Sequence, residues 1–344
     1  MKTKWGVWGS GGIARRRTIP EGIMTADNAE LTVVYDVNTE ANNEVAAEFN
    51  VLACETEEAF LASDCDIVYV ATPANTHCAQ VLRAAEAGKH VLCEKPLGMV
   101  VEEAERMITA CRNSGVKLGT AFMMRFQAQH LEALRLLRDG KLGTPVLGRA
   151  QLSCWYPPLP GAWRQQLDQS GGGSLMDMGG HCIDLLELFF GRATRVQCMT
   201  GNRVHDYPSE DSAVVLLEFQ NGAKGMVDNF FNVPDSSSKN RLELYGSKGS
   251  ILADGTIGQG ELGEMIAYLE SGDTGYEAQQ TRDAGGGIAI TPEPVNTYRA
   301  EVEAFSQAVL QGTEPPVSAE DGLWSQHVLA ACYESARTGA AVSL

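Results

Sequence analysis

The chain has 344 residues, 44% of them hydrophobic, and its 44 acidic residues outnumber its 27 lysines and arginines to give a formal net charge of −17. At about 150 residues per domain, this length predicts two domains, each large enough to bury its own core. The apolar fraction excludes a disordered chain, and the negative charge argues against nucleic acids and anionic membrane surfaces as partners.

The nine cysteines contain no C-x-x-C pair, so they indicate neither a thiolate zinc site nor a disulfide framework. No apolar stretch typical of a signal peptide precedes Gly6. No window approaches the run of roughly 18 apolar residues that a membrane span needs. These features predict a cytoplasmic protein with reduced thiols.

The first third of the chain alternates short apolar runs with amphipathic helical windows, which predicts an α/β fold with a parallel sheet. The predicted strands are residues 5–8, 31–35, 67–71, 90–93 and 116–120. The predicted helices between them are residues 41–49, 77–87 and 101–113. This order is typical of a nucleotide-binding domain, which we assign to residues 1–122.

From about residue 122 the pattern changes, and residues 123–344 are predicted to form a second, α+β domain with a large, mostly antiparallel sheet. Its predicted helices are residues 127–137, 176–190, 298–310 and 319–338. Its predicted strands are residues 146–152, 195–200, 213–219, 224–231, 241–245 and 250–253. A segment rich in Gly, Thr and Asp, residues 271–297, is predicted to be a long surface loop.

A G-x-G-x-x-A motif directly follows the first predicted strand and consists of Gly9, Ser10, Gly11, Gly12, Ile13 and Ala14. The first glycine permits a tight turn, the second lets the backbone approach a pyrophosphate, and the small last residue lets a helix pack on the strand. The helix start offers free N–H groups and a positive dipole end to phosphates. The motif therefore predicts a dinucleotide site.

Asp36 ends the second predicted strand, where a carboxylate accepts hydrogen bonds from both hydroxyls of an adenosine ribose. A 2′-phosphate would meet a like charge there, and Val37 and Asn38 follow where NADP-binding chains more often have Arg or Ser. We therefore predict NAD as the cofactor and leave NADP open. The three arginines at residues 15–17 complicate this prediction, because a cationic first turn is able to reach a phosphate; a solvated basic face is the alternative.

Three polar residues further along the chain are candidates for a functional site; the alternatives are a solvated surface charge for Lys95 and a helix-stabilising ion pair for Asp177 and His181. Lys95 lies at the carboxyl end of a predicted parallel strand, where open α/β sheets bind ligands. Asp177 and His181 are four residues apart, so a helix places both on one face. Oxidation of a secondary alcohol needs a hydride acceptor, a base and a cation that stabilises the developing alkoxide.

Several motifs occur together in one order. The glycine motif is followed by Ala71-Thr72-Pro73-Ala74-Asn75-Thr76-His77, Glu94-Lys95-Pro96, Met124-Arg125-Phe126, Trp163-Arg164, Gly171-Gly172-Gly173 and Asp177-x-Gly179-x-His181-x-x-Asp184. In this set the chain resembles the glucose–fructose oxidoreductase, inositol dehydrogenase and MocA (Gfo/Idh/MocA) family from residue 5 to about residue 190. The departures are Ala14 at the third glycine of the first motif and an extra glycine, Gly180, before His181.

The resemblance implies a Rossmann NAD(P)-binding domain and a catalytic group of Lys95, Asp177 and His181. His181 would supply the base and Lys95 the cation, and Asp177 would orient either the imidazole or a substrate hydroxyl. Whether His181 or a deprotonated Lys95 accepts the proton stays open. No metal is expected, because tetrahedral zinc needs another ligand and Cys182 points about 100° away on the helix. Asp184 is expected to be a structural carboxylate.

The resemblance also assigns further binding residues. Besides the glycine turn and Asp36, the cofactor residues are Thr72, Pro73, Asn75, His77, Glu94, Lys95, Arg125 and Arg164. The substrate residues are Lys95, Tyr156, Trp163, Arg164, Asp177 and His181. For Trp155, Tyr156 and Trp163 an ordinary core or interface role is the open alternative. A homodimer or homotetramer is expected, because the sheet of the second domain has to hide or solvate its outer face.

These observations lead to one interpretation and two alternatives. The leading one is an NAD-dependent dehydrogenase that oxidises a secondary hydroxyl of a cyclic polyol or sugar, of the inositol or aldose type. The second is an NADP(H)-dependent reductase of a keto-sugar or related carbonyl. The third is a non-catalytic nucleotide-sensing regulator, which would be expected to lose the catalytic side chains that this chain retains. The identity of the sugar and the physiological direction stay open.

Overall fold

The computed structural model describes residues 1–270 and 286–344. In this part of the chain the first of two sheets has six parallel strands in the order β3-β2-β1-β4-β5-β6. Their bounds are β1 (Thr3–Trp8), β2 (Ala29–Tyr35), β3 (Leu52–Ala53), β4 (Ile67–Val70), β5 (His90–Glu94) and β6 (Leu118–Ala121). This is the Rossmann order, in which the winding reverses between β1 and β4 and ligands bind outside the carboxyl ends of the strands.

Helices connect these strands and cover both faces of the sheet. They are the glycine-turn helix (Ala14–Ile23), α1 (Thr39–Phe49), α2 (Glu57–Leu61), α3 (Ala74–Glu86) and α4 (Val101–Asn113). Side-chain caps fix two of the starts, because Asn38 Oδ1 accepts from the N–H of Ala41 and Thr56 Oγ1 accepts from that of Ala59. The strands are apolar on both sides, and β4 is buried at every residue.

The second sheet has nine strands in the described residues, in the order β14-β13-β12-β11-β7-β10-β9-β8-β15. Their bounds are β7 (Pro145–Ser153), β8 (Ala193–Gly201), β9 (Ser212–Phe219), β10 (Lys224–Phe230), β11 (Leu242–Gly246), β12 (Gly249–Asp254), β13 (Glu264–Leu269), β14 (Ile288–Ala289) and β15 (Val342–Ser343). Of the strand pairs described, β7 with β10 is parallel and the others are antiparallel. The predicted fold class is confirmed.

The predicted loop at residues 271–297 falls in large part on residues 271–285, which lie outside the described residues. The remainder contains the short strand β14, and α8 (Thr297–Gln311) begins at its end. Together with β13 and β15, β14 was missed by the sequence prediction. β14 and β15 have two residues each, as does β3, which was also missed, and so short a strand carries too little alternation of polar and apolar side chains to be recognised. That reason does not apply to β13, which has six residues.

The inner face of the second sheet is covered by helices and its outer face is open. The remaining helices are α5 (Ala128–Arg138), α6 (Leu167–Ser170), α7 (Gly180–Phe190) and α9 (Ala319–Thr338). The packing of α7 on β7 depends on Gly148, where a Cβ atom would lie 2.3 Å from Cε2 of Phe190. Leu186 and Phe190 of α7 are buried in the resulting core.

The last two long helices, α8 and α9, lie after the domain boundary expected at residue 122 but pack on the sheet that precedes it. Val302 and Phe305 of α8 are buried in the core of the first sheet, where the rings of Phe305 and Trp5 meet edge to face at 6.0 Å. Gly119 in β6 admits this contact, since a Cβ atom there would lie 2.7 Å from Cε2 of Phe305. Ala319 of α9 belongs to the other core cluster of the same sheet. Side chains of α8 and α9 thus complete the core of the Rossmann domain.

Candidate active site

A cavity of about 650 Å³ lies between the carboxyl ends of the parallel strands and the second domain. From the first domain it is lined by residues that end or follow the strands β1, β4, β5 and β6. These residues are Gly12, Ile13, Arg16, Ala71, Thr72, Glu94, Lys95 and Ala121. From the rest of the chain its polar and aromatic lining residues are Ser153, Cys154, Trp163, Arg164, Asp177, His181, Asp235, Asn240, Gln259 and Tyr298. The cavity occupies the position where a doubly wound sheet binds its ligand.

The glycine turn leaves its backbone open to this cavity. Gly9 has φ +89°, and a Cβ atom there would lie 2.7 Å from Cγ2 of Thr72, so only glycine fits between the ends of β1 and β4. Gly12 has φ +52° and open space where a Cβ would stand. Ser10 differs from them, because its buried hydroxyl donates to Asn42 Oδ1 at 3.1 Å. Ser10 is fully buried and does not line the cavity, so its side chain is not available to a ligand.

Asp36 is held beside the glycine turn at the end of β2. Its Oδ2 accepts from the N–H of Gly11 at 3.1 Å, and its Oδ1 accepts from that of Asn38 at 2.9 Å. The start of the glycine-turn helix, the open space at Gly12 and this carboxylate fit the phosphates and the ribose of a dinucleotide. The residues present thus match the donors and acceptors that such a cofactor requires.

His77 and Asn75 were predicted to bind the cofactor, but neither lines the cavity. The His77 side chain is buried, with its ring nitrogens facing the carbonyl oxygens of Pro96 at 3.0 Å and Thr72 at 2.9 Å. Burial lowers the pKa of His77. The His77 side chain thus connects the turn at Thr72 with Pro96, the residue that follows Lys95. Pro73 precedes α3, and Asn75 is exposed in its first turn.

Lys95, Asp177 and Arg164 form a charge cluster in the cavity wall. The Lys95 ammonium donates to the carbonyl oxygen of Asp177 at 2.7 Å and to its Oδ1 at 2.8 Å. Arg164 Nε lies 3.1 Å from the same Oδ1, and the guanidinium stacks over the ring of Trp163 at 4.4 Å. Burial raises the pKa of Asp177, but the charges of Arg164 and Lys95 outweigh burial and hold that pKa well below its usual range.

His181 lies in the first turn of α7, next to this cluster. Its Nδ1 is buried without a hydrogen-bond partner among residues 1–270 and 286–344, and its ring meets that of Phe122 edge to face at 5.8 Å. Burial and the charge of Lys95 lower its pKa well below the ordinary value. The imidazole is therefore neutral near pH 7. No hydrogen bond joins it to Asp177 in the described part of the chain, because the Asp177 carboxylate is taken up by two cations.

Glu94 connects the cavity to a buried hydroxyl pair. The hydroxyl of Tyr69 donates to Glu94 Oε1, and the hydroxyl oxygens of Tyr69 and Thr18 are 3.0 Å apart. Burial raises the pKa of Glu94, and the neighbouring Lys95 partly offsets this effect. Glu94 thus links the cavity wall beside Lys95 to the buried Tyr69 and Thr18 hydroxyls.

Arg125 was expected at the cofactor or substrate and instead makes a structural ion network. Its Nη2 lies 2.6 Å from Asp184 Oδ1, its Nε 2.9 Å from Asp184 Oδ2, and its Nη1 3.2 Å from Asp321 Oδ2. Asp184 is buried in α7, in the structural role expected for it. Arg125 therefore faces buried acids and does not line the cavity, and its assignment to the cofactor stays a prediction.

The predicted aromatic wall is only partly formed. Trp163 lines the cavity, whereas Tyr156 packs on Phe231 at 5.0 Å and does not line it. Trp155 is 43% exposed and has its ring against His205. The Tyr156 side chain also interacts with Arg164 of the charge cluster, so its assignment to the substrate stays a prediction beside the packing alternative.

The contacts that support Asp177 from below were not predicted. In the glycine-rich stretch a Cβ atom on Gly173 would lie 2.0 Å from the carbonyl oxygen of Glu210. The buried Glu210 carboxylate accepts from the N–H groups of Gly173 at 2.8 Å and Leu175 at 3.0 Å, and from the hydroxyl of Tyr333 at 3.0 Å. The glycines thus seat the turn Leu175–Gly179, which carries Asp177, on a buried carboxylate.

Other lining residues, among them Asp235, Asn240, Gln259 and Tyr298, were also missed. Clusters of three or more His, Cys, Asp or Glu residues that would hold a metal ion are absent from the described residues. All nine cysteines are free thiols. No helix within residues 1–270 and 286–344 is long and apolar enough to cross a membrane.

Comparison with known proteins identifies the family. Residues 3–122 match the model of an oxidoreductase family with an NAD-binding Rossmann fold, and residues 130–252 match the model of the GFO/IDH/MocA C-terminal domain. The chain belongs to the Gfo/Idh/MocA family. It is therefore an NAD(P)-dependent oxidoreductase, and the predictions of family, enzyme class and cofactor class are confirmed.

Relatives match this member of the family along its whole length. D-xylose 1-dehydrogenase (NADP(+)) 2 of Haloferax volcanii is 31% identical, with 99% of both chains covered. The 1,5-anhydro-D-fructose reductase of Ensifer adhaerens is 29% identical, with 99% of this chain and 98% of the relative covered. A crystal structure of aldose-aldose oxidoreductase from Caulobacter crescentus, complexed with glycerol, superposes with a TM-score of 0.89, 29% identity and all of both chains covered.

We expect His181 to remain neutral when the pH is lowered from about 8 to about 5.5, because its pKa lies below the ordinary histidine value of about 6.5. The Lys95→Met variant should raise this pKa, since it removes a neighbouring positive charge. NMR titration of the protein with isotope-labelled histidine measures both effects, with His181→Asn to assign the signal. A wild-type midpoint near pH 6.5 would contradict the electrostatics described above.

Proposed function

We propose that this protein is an NAD-dependent dehydrogenase that oxidises a secondary hydroxyl of a cyclic polyol or sugar, of the inositol or aldose type. The observation that carries the proposal is the position of Lys95, Asp177 and His181 in the cavity that the glycine turn also lines. Relatives named D-xylose 1-dehydrogenase and, from Thermotoga maritima, myo-inositol 2-dehydrogenase support this substrate class.

The Lys95 ammonium would bind the reacting oxygen. An ammonium has three N–H donors, and Lys95 spends two contacts on Asp177, so one donor is left for the substrate hydroxyl. As negative charge develops on that oxygen, the fixed cation stabilises it in a largely water-excluded site. The bound dinucleotide supplies the hydride acceptor.

We assign the role of proton acceptor to His181. Its imidazole is neutral, and because Nδ1 is buried without a partner, Nε2 is the nitrogen left to meet a substrate. Lys95 suits this role less well, since its side-chain nitrogen already donates to the carbonyl oxygen and the carboxylate of Asp177. Asp177 in turn acts as the positioning residue for Lys95 and Arg164.

A second candidate is an NADP(H)-dependent reductase of a keto-sugar or related carbonyl, in which the same residues act in reverse. Two observations favour it: Arg16 brings a cation to the cavity, and one full-length relative is named as an NADP(+) enzyme. Asp36 argues for NAD, because its carboxylate is fixed at the end of β2, where a 2′-phosphate would meet a like charge. The regulator alternative is the weakest of the three, since the whole polar group lines one cavity.

The cellular setting follows from composition and thiol chemistry. We propose a cytoplasmic location, because nine free cysteines suit a reducing compartment. The net charge of −17 argues against nucleic acids and anionic membranes as partners. A small polyol or sugar is the partner that the cavity suits.

We also propose a homodimer or homotetramer that associates through the outer face of the nine-stranded sheet. Exposed apolar side chains lie on this face, with Met199 70%, Leu216 52% and Leu147 37% exposed. Leu216 and Met226 are directly paired across β9 and β10. Such a surface is typical of an association site rather than of a solvated face.

Replacing Lys95 with alanine should lower turnover by at least about 100-fold, because the substrate loses its cation. Absorbance at 340 nm is followed with NAD⁺ and NADP⁺ against inositols, aldoses and sugar acids, and bound NADH fluorescence checks that the variant still binds cofactor. Lys141→Ala, on the exposed surface, is the control. Near-wild-type turnover of Lys95→Ala on an identified substrate would overturn the mechanism.

Replacing Asp36 with alanine should reduce the preference for NADH over NADPH by at least about tenfold, because the ribose loses its acceptor and a 2′-phosphate no longer meets a carboxylate. Fluorescence titration with each reduced cofactor gives the ratio of the two Kd values. An unchanged ratio would mean that Asp36 does not contact the ribose.

Light scattering should give the wild type a mass of two or four times 37.0 kDa. Leu216→Glu should shift the protein toward monomer, because it places a charge in the middle of the proposed apolar contact. Leu131→Glu is the matched control, since Leu131 is 47% exposed on α5 and not on this sheet. A wild-type protein that is monomeric at every concentration would refute the oligomer.

A further inference from the structure

The connection between β12 and β13, residues 255–263, forms a strap that reaches from the second domain to the glycine-turn helix. Its base is fixed, because Thr256 and Ile257 are buried and Ile257 belongs to the core of the second domain. At the far end Gln129 holds Gly263 on both sides: its Nε2 donates to the Gly263 carbonyl at 3.0 Å, and its Oε1 accepts the Gly263 N–H at 2.9 Å.

The tip of the strap lies over the cofactor end of the cavity. Gly258 and Gln259 line the same cavity as Gly12 and Ile13 of the glycine turn. Arg17 of the glycine-turn helix donates to the carbonyl oxygen of Gln259. The strap therefore spans the two domains at the point where the pyrophosphate of a dinucleotide is expected.

Further contacts hold Arg17 in position at the tip of the strap. Arg17 is also paired with Glu21 at 2.8 Å, and its guanidinium lies 5.4 Å from the ring centroid of Tyr298. Asn296 adds a second connection, since its Nδ2 lies 2.9 Å from Glu21 Oε2 and 3.4 Å from Glu261 Oε1. These contacts describe a latch between the strap and the glycine-turn helix.

Arg16 differs from the arginines on either side of it. Arg15 is paired with Glu44 at 2.7 Å and with Glu48 at 2.9 Å, and Arg17 is engaged in the latch. Within the described ranges, Arg16 makes no side-chain ion pair or hydrogen bond, and it lines the same cavity as Gly12 and Ile13. Its charge is thus available to an anion bound at the glycine turn.

We propose that Arg16 and the tip of the strap complete the dinucleotide site by enclosing the pyrophosphate between the two domains. The N–H groups of the glycine turn would hold the pyrophosphate from one side. Arg16 would neutralise its charge, and the Gln259 side chain would close the other side. This inference rests on the proposed function, because it takes the glycine turn to be the dinucleotide site.

The latch has a kinetic consequence. A dinucleotide enclosed in this way leaves only after the Arg17 contact to the strap opens. Three glycines, at positions 255, 258 and 260, give the strap the backbone freedom for this movement. Cofactor release is therefore slower than it would be from the glycine turn alone.

The test for Arg16 uses binding without turnover. Arg16→Gln should weaken the binding of NADH and of ADP-ribose about tenfold, as expected for a lost charged hydrogen bond, and leave the binding of adenosine, which has no phosphate, unchanged. Arg15→Gln is the matched control, because it removes one positive charge from the neighbouring position. Arg15 is already paired with Glu44 and Glu48, so it is not expected to contact the pyrophosphate. Equal effects of the two variants would overturn the role of Arg16, since only long-range charge would then be at work.

The test for the latch is a release rate. Arg17→Gln should speed the dissociation of NADH about tenfold in stopped-flow fluorescence. Gln259→Ala, in a loop and unable to disturb a core, should speed it to a smaller extent. Release rates equal to the wild type in both variants would overturn the strap. If the wild type failed to bind NADH at all, the proposed function itself would fall, which distinguishes that result from the other two.

Discussion

The buried cluster of Lys95, Asp177 and Arg164 is the interaction on which the rest of this site depends. Lys95 follows β5 of the first domain, whereas Arg164 and Asp177 belong to the second, so one carboxylate joins the two domains at the cavity. Burying charges costs free energy that only close partners offset, and a buried charge that loses its partner is strongly destabilising. The cluster therefore fixes the relative position of the domains and the orientation of the ammonium at the same time.

The scaffold behind the cluster is built to keep Asp177 in place. Gly173 lets the turn before Asp177 touch the backbone of Glu210, whose carboxylate then accepts two backbone N–H groups of that turn. One turn of α7 beyond His181, the Asp184 carboxylate is clamped by Arg125. Buried polar groups of this kind are stable only when their hydrogen bonds are satisfied. The turn that carries Asp177 and the helix that carries His181 are thus both held by polar contacts of Glu210 and Arg125, which do not line the cavity.

Much of this arrangement could be predicted from the sequence, because it depends on residues that are close together in the chain. The parallel strands are continuous apolar runs, and the glycine turn has one backbone conformation that fits, so both are visible in the order of residues. The direction of a side chain, by contrast, depends on partners that are distant in the sequence. Arg125 and His77 carry the residue types of a binding site, yet one faces buried acids and the other two carbonyl oxygens. Periodicity likewise reveals that α8 has an apolar face, but not that this face meets the first sheet.

The position of α8 affects how this protein is divided into exchangeable parts. The helix follows the second sheet in the chain, yet its Phe305 packs on Trp5 in the core of the first. A chimaera that took its substrate domain from a relative by a single junction near residue 122 would bring in a foreign helix against the native Rossmann core. Recombination between members of this family therefore needs two crossover points, with residues 297–311 kept together with the N-terminal sheet they complete.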